Sequence, residues 1–458
     1  MKHLLHTLSL AILFGLFAGS CQLGKHYTRP ELHIPATLDS TTTDTTSIAD
    51  FQWWELYTDT TLQQLIRQTL EHNKDMLTAA ARLKEMAAQK RISFANMFPD
   101  VNGKLYADKD ATNYGGNDYS SSPEFTAKFV ASWELDLWGN LRWAKDKSMA
   151  QFVQAVENQR ALQMTLVAQV AQSYFELVAL DNELNIVKQT LHARQEGLRL
   201  ARLRFNGGLT SEMPYQQAQV ELARTATLVP DLERAIALKE NDINFLAGRF
   251  PEKVERSHHP EDITLPETLP AGLPSSLLER RPDVRAAEET LKAANAEVGL
   301  AFTNLFPRIT LTANYGLESD ELKELVHSPT HFLSANLLSP IFAMGKNRAA
   351  LKAKKAAYEQ ATYQYEKAVL SAFKDAQNAM VEFNKIKDIY NSRQKLEEAA
   401  KTNIKLAQLQ YINGIIGYLD VLDAQRTYLD AQIGLSNAVR DKQIALVQLY
   451  KALGGGWQ

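Results

Sequence analysis

The sequence has almost no cysteine: one residue, Cys21, among 458, so an intramolecular disulfide and a cysteine-rich metal site are both excluded. It lacks an excess of charge of either sign, with 50 Lys+Arg against 53 Asp+Glu, and so has no basic footprint of the kind that binds nucleic acid. After its first twenty residues it lacks any apolar run of 18, which excludes a membrane-spanning helix. The short signatures of catalysis are missing too: there is no G-x-S-x-G, no H-E-x-x-H and no phosphate loop. The ten histidines are scattered, the only adjacent pair being His258-His259, and the nine methionines are dispersed rather than clustered. An enzyme is not expected, nor is a catalytic residue, a metal or a cofactor.

What is present begins with an export signal over residues 1–20: Lys2 supplies the positive end, "LLHTLSLAILFGLF" the apolar stretch, and Ala18, Gly19 and Ser20 the small residues. The run "AGSC" resembles the bacterial lipoprotein signal, which implies that Cys21 is lipidated and becomes the first residue of the mature chain. Residues 21–58 then read as a lipid-anchored extended segment.

The rest is one design written twice. Residues 72–101 align without gaps on 280–309 at an offset of 208, pairing Asp75 with Asp283, Asn96 with Asn304 and Phe98-Pro99 with Phe306-Pro307. Residues 201–219 align on 407–425 at an offset of 206, as do Gly139 and Gly345. Repeat 1 spans 59–250, repeat 2 spans 275–453, a Pro-rich connector covers 251–274 and a short tail 454–458.

Each repeat reads helix, strand, strand, then a long helical hairpin. Pro99 ends the first helical run, 59–97. Residues 140–205 carry no proline and one internal glycine, Gly197, which predicts a helix roughly 100 Å long at 1.5 Å per residue. Leu177, Leu180, Leu184, Val187 and Leu191 recur at spacings of 3 and 4, the seam of a coiled coil, and Val369, Phe373, Ala376, Met380 and Phe383 do the same in repeat 2. "NGG" at 206–208 and "NG" at 413–414 break these runs and mark the tips of hairpins 140–247 and 346–453. One thin hairpin cannot bury both faces of such helices, so several must pack together, from this chain and from copies of it.

Strands are expected at 101–112, 123–138, 308–318 and 331–343. Over 125–137 the apolar series Phe125, Ala127, Phe129, Ala131, Trp133, Leu135, Leu137 alternates strictly with Thr126, Lys128, Val130, Ser132, Glu134 and Asp136. That pattern suits a membrane barrel with one lipid face and one lumen face, or a soluble sandwich with one wet face. Four strands per chain cannot close a barrel, since bacterial barrels begin at about eight; three chains would supply twelve.

The duplicated "FP" strand starts, "ERRPDVRAAE" at 279–288, "WWELYTDTTLQQLIRQTLEHN" at 53–73, "CQLGKHYTRP" at 21–30 and "LDVLDAQ" at 419–425 together resemble the TolC-like outer-membrane efflux channels, in the lipoprotein branch that includes OprM and NodT. The resemblance implies a mainly α fold with a membrane β-barrel: a homotrimer whose twelve-stranded barrel sits in outer-membrane lipid and continues into an α-helical periplasmic tunnel. It also implies a periplasmic adaptor and an inner-membrane pump of the resistance-nodulation-division type as partners. An ATP-driven type I exporter, or a scaffold without a pore, is the alternative.

On this reading the candidate residues are few. Asp420 and Asp423 lie one turn apart at the second tip, and the resemblance makes them, with Tyr411, the periplasmic gate. Repeat 1 has Pro214 and Gln217 at the positions of those acids, so only one hairpin brings carboxylates; Ile416 stands where the family can place a closing arginine. The turns Gly207, Gly208, Leu209, Thr210 and Gly414, Ile415, Ile416 are candidates for adaptor contact, because each puts an apolar residue after its glycine. Ser211 is expected to cap the helix carrying Pro214. Arg281, Pro282, Asp283 and Arg285 read as a structural signature, with Pro282 in the first turn of a helix and Asp283 complementing its dipole. "KNRAALKAKK" at 346–355 reads as a solvated helix face or as contact with lipid headgroups.

Overall fold

The computed structural model describes residues 22–34, 47–112, 115, 120–256 and 274–457; the export segment, Cys21 and His258-His259 lie outside the described residues. In chain order the elements are α1 (Trp53–Leu56), α2 (Thr60–His72), α3 (Lys74–Ala95), β1 (Asp100–Thr112), β2 (Ser120–Leu135), α4 (Asn140–Asn206), α5 (Glu212–Leu246), α6 (Pro274–Arg280), α7 (Pro282–Thr303), β3 (Arg308–Ser319), β4 (Pro329–Leu338), α8 (Lys346–Ile412) and α9 (Tyr418–Ala452), with 3-10 turns at Ile48–Asp50 and Leu322–His327. The chain forms two compact units, one from the residues up to Leu32 with Ala81–Val156 and Ala286–Lys367, the other from His33–Ala80, Glu157–Arg285 and Ala368 onward.

The first unit is built on a four-stranded antiparallel sheet in the order β1-β2-β3-β4. Its register sets Gly103 beside Phe129, Phe129 beside Tyr315 and Tyr315 beside His331, so the alternating residues fall into cross-strand rows. One face carries Leu105, Phe129, Tyr315 and Leu333, exposed by 87, 68, 70 and 78%. The other carries Lys104, Lys128, Thr310, Thr312 and Asn314, with Lys128 paired to Glu318 at 3.2 Å. The strand expected over 331–343 runs instead from Pro329 to Leu338, because Pro340 has no N–H for the ladder. The strand expected over 123–138 stops at Leu135, since the next residue, Asp136, turns its carboxylate to the first amides of α4, Leu141 N at 3.0 Å and Arg142 N at 3.1 Å.

The segment behind Cys21 is fastened to this unit. Gln22 Nε2 donates to Asp146 at 2.9 Å and Trp143 Nε1 donates to the Leu23 carbonyl at 2.8 Å. Glu288 accepts from the Tyr27 hydroxyl at 3.1 Å and from Arg29 at 3.0 and 2.6 Å.

The second unit is helical. The seam places Leu177, Val187, Val369, Ala376, Met380 and Phe383 in the interior, and the main core joins Leu177, Ala376, Met380 and Phe383 to Tyr57, Leu62, Ile66, Tyr174, Val447 and Tyr450. The helix expected over 59–97 is two helices: Asn73 leaves helical geometry, and its Oδ1 accepts from Asp75 N at 2.9 Å and Met76 N at 3.2 Å, starting α3 afresh. Arg281 is buried and donates to both Asp283 oxygens (3.1 and 2.7 Å), to Asp375 (3.4 Å) and to the Ala452 carbonyl (3.1 Å), joining the start of α7 to α8 and to the end of α9. Arg285 pairs at 2.8 Å with Glu157, itself 1% exposed.

Candidate functional site at the hairpin tips

α4 and α8 are each 67 residues long, α5 and α9 each 35, and the two hairpins turn in the same way. At the first tip Leu209 N donates to the Arg204 carbonyl at 2.9 Å and Gly208 N to the Phe205 carbonyl at 3.0 Å; at the second, Ile415 N donates to Gln410 at 2.9 Å and Gly414 N to Tyr411 at 3.0 Å. This ring closes the last carbonyls of a helix and requires the left-handed region at its turning residue. Gly208 at φ +71 and Gly414 at φ +75 supply it. Such a turn usually folds its apolar follower back onto the helix. Here Leu209 and Ile415 stay 73 and 70% exposed, while Ile416 packs inward.

The starts of the outgoing helices differ. Gly417 precedes α9, and Asp420, in its first turn, accepts from Gly417 N at 3.0 Å, so this acid holds the helix start as well as complementing its dipole. Asp423 is exposed one turn on. Ser211 stands at the start of α5 but makes no side-chain cap bond. The expected cap fails for a chemical reason: Pro214 occupies the third helical position, one of the two whose N–H such a cap uses.

Tyr411 is buried rather than facing solvent. Its ring lies 5.3 Å from that of Tyr418, and the Arg204 guanidinium of the first hairpin sits over the Tyr411 ring, 4.8 Å from its centroid. Ala201, Ala218, Val421 and Leu422 complete an apolar cluster that joins the two hairpins. Burial pushes the Tyr418 hydroxyl up to about 12.

Next to this cluster lies a set of charges that the sequence reading did not single out. Arg194 and Glu221 have side chains 5 and 3% exposed and meet at 3.0 Å; Arg426 reaches Glu221 from α9. The paired Arg426 holds the Glu221 carboxyl below the usual range, with Arg194 acting in the same direction. Farther from the tip, a polar cavity of about 570 Å³ among α4, α8 and α9 is lined by Asn182, Gln394, Glu397, Gln432 and Ser436. Beside it α8 exposes six successive residues, 391–396. Among the described residues there is no cluster of three or more His, Cys, Asp or Glu placed to hold a metal. Nor, among them, is any helix long and apolar enough to cross a membrane.

The profile of the outer membrane efflux protein family matches residues 65–249 and 273–455. The chain belongs to that family. This outer membrane efflux protein is 29% identical over 447 residues to the cation efflux system protein CusC of Escherichia coli O6:H1, covering 96% of each chain. It is 28% identical over 461 residues to the probable outer membrane lipoprotein SilC of Salmonella typhimurium, covering 99% of each. Its fold superposes on the outer-membrane channel OprN with a TM-score of 0.89 at 29% identity, covering 95% of this chain and 100% of the other. It is thus an outer-membrane channel component of an efflux system, located in the outer membrane.

Proposed function

We propose that three copies of this chain close one twelve-stranded barrel, and that the channel is a passive exit duct for small toxic compounds. It carries out no chemistry and takes no energy input. A periplasmic adaptor and an inner-membrane pump of the resistance-nodulation-division type would deliver the substrate, with selectivity set mainly by the pump. CusC bears the name of a cation efflux protein, and the tip chemistry of this chain is compatible with cations without requiring them. Lipid on Cys21 would fix the chain to the membrane.

The observation that carries the trimer is a pair of unpaired sheet edges, β1 and β4, in a chain whose two halves repeat. Within the chain, β2 pairs with β3 while Trp138 stacks on Phe306 at 5.3 Å and donates to the Pro307 carbonyl at 2.6 Å. The repeat puts Met344 in the place of Trp138 and Phe98-Pro99 in the place of Phe306-Pro307. Both Met344 and Phe98 are exposed, by 88 and 56%. β4 of one copy pairing with β1 of the next therefore repeats between chains what β2 and β3 do within one. Carrying the register of Val130 beside Asn314 across the repeat sets Asn336 opposite Tyr106 of the neighbouring copy. Cysteines at Asn336 and Tyr106 together should oxidise to covalent dimers and trimers in membranes, because directly opposed residues fall within disulfide reach, about 4.5–5.5 Å. Asn336→Cys with Lys104→Cys, two residues out of register, should not. Equal cross-linking of both pairs, or of neither, would refute the arrangement.

Three copies would also gather Asp420 and Asp423 around one axis, where like charges repel, bind cations and narrow the opening. Leu209, Thr210 and Ile415 with their glycines form the adaptor-contact surface, while Ile416 packs beneath it. Opening would be an iris-like movement of the second hairpin, for which the polar cavity and the thinly packed stretch of α8 leave room. Arg281, Pro282, Asp283 and Arg285 serve as a structural clamp.

A further inference from the structure

The charges on the polar face of the sheet are sorted by level rather than mixed. Lys104 of β1 stands directly opposite Lys128 of β2, and farther along the same two strands Asp108 stands directly opposite Glu124. Like charges set opposite each other weaken an antiparallel pair, whereas a lysine opposite a carboxylate would strengthen it. Neither pairing serves the sheet. The second repeat shows that the fold does not need the lysines either: in their place it sets Thr312 opposite Ser334.

Only one of the two lysines is neutralised. Lys128 Nζ lies 3.2 Å from a Glu318 carboxylate oxygen on β3. Gly316, opposite Lys128, lets β3 approach β2 closely, since a Cβ there would overlap the Lys128 Cα and the Ala127 carbonyl oxygen. Lys104 has no carboxylate partner among the described residues; its ammonium sits 4.7 Å from the centroid of the Tyr106 ring. Each chain therefore carries a surplus positive charge at this level.

The polar face is also the enclosed one. Thr126 is 3% exposed and the Lys128 side chain 14%, against 68 and 70% for Phe129 and Tyr315 on the apolar face. A sheet whose polar residues are the covered ones curls toward them, as a barrel with a wet lumen requires.

We infer that Lys104, with Lys128 beside it, forms an anion-attracting band in the barrel lumen, favouring cargo that bears a carboxylate, phosphate or sulfate group over a bare metal cation at this step. The inference rests on the proposed barrel, because only closure puts this face around water. Three copies would place three such lysine pairs around the lumen, alternating with the uncharged Thr312–Ser334 pairs. Charged rings of this kind select ions by sign, and their field reaches about a Debye length from the wall. Asp108 and Glu124 lie beyond the lysines, toward the β1–β2 turn and away from the helices. An anion leaving by the barrel therefore meets attraction before repulsion, and a cation meets the reverse.

The test uses the full-length lipoprotein in liposomes with a nitroxide at Asn102→Cys, on the polar face about 7 Å from Lys104 along β1. The chain without that cysteine is the blank for Cys21. Relaxation of the label by the chromium trioxalate trianion is divided by its relaxation by a neutral nickel chelate, which cancels differences in access. Neither reagent needs the helical tips to open. Lys104→Gln should lower this ratio roughly 3- to 5-fold at about 0.1 M salt, the attraction of a trianion to one screened charge at that distance. Glu318→Gln frees Lys128 and should raise the ratio, a sign that a merely structural role does not produce. A ratio unchanged in both variants, or an anion excess that survives intact in Lys104→Gln, overturns the inference. Strong relaxation by oxygen with none by either chelate would show this face in lipid; the barrel reading would then fall, and the inference with it.

Discussion

The two hairpin tips share a backbone and differ in chemistry. Both turn through the same six-residue ring with a left-handed glycine, and both leave one apolar residue standing in solvent. The first offers Pro214, Gln217 and Val220 where the second offers Asp420, Asp423 and Arg426. Only the first has a charge pair buried in its seam. Duplication preserved what sets the path of the chain, because a hairpin of this length tolerates little change in its turn. It left the outward side chains free to diverge, and the proposed gate lies in that divergence.

Four measurements would break or sharpen that contrast. The largest effect is expected at Glu221. Glu221→Ala strands Arg194 in the interior and should destabilise the tip by about 3 kcal/mol or more, read as faster amide exchange over 194–225. Its repeat-2 counterpart Thr427→Ala, at an exposed position, should cost almost nothing. Because the Glu221 carboxyl is held below its usual range, its contribution is complete above the unfolded carboxylate pKa and is lost as pH falls through the folded one. Protection at the tip, with the intrinsic pH dependence of amide exchange divided out, should therefore be flat between neutral and mildly acidic pH and fall only in strong acid.

Gly208→Ala and Gly414→Ala come next and should behave alike, since the backbone demand is the same at both; a left-handed alanine costs roughly 1–2 kcal/mol. Unequal losses in thermal unfolding would show that the turns are not equivalent. The smallest effect on stability is expected at Leu209→Ser and Ile415→Ser, within about 0.5 kcal/mol for exposed positions. A photo-cross-linker at either residue should nonetheless capture a periplasmic protein in cells, and capture at neither would remove the tips from the adaptor surface.

Much of this was open to reading in the chain. The absence of proline over 140–205 announced the long helix, the asparagine-glycine breaks located both tips, and strict alternation over 125–137 located the strand. The fourth strand ends at Leu338, five residues before its expected end, because Pro340 stops the ladder where the alternation alone does not. Asn73 was absorbed into a helix because its capping role depends on a side-chain bond, not on propensity. The charge set of Arg194, Glu221 and Arg426 is not legible in the chain, because its members are 27 and 205 positions apart and each looks like an ordinary solvated charge on a helix. A signal existed all the same: Arg194 lies three residues beyond Leu191, on the very seam that was traced as far as that leucine. A charge on an otherwise apolar seam is a request for a partner.

The central claim is that the carboxylates of one hairpin hold a conducting trimer nearly shut. Single-channel recording of the purified protein in planar bilayers tests it directly, comparing wild type with Asp420→Asn/Asp423→Asn. The account predicts rare, small openings for wild type and sustained conductance for the double variant. No conductance from either protein, or the same conductance from both, would contradict it.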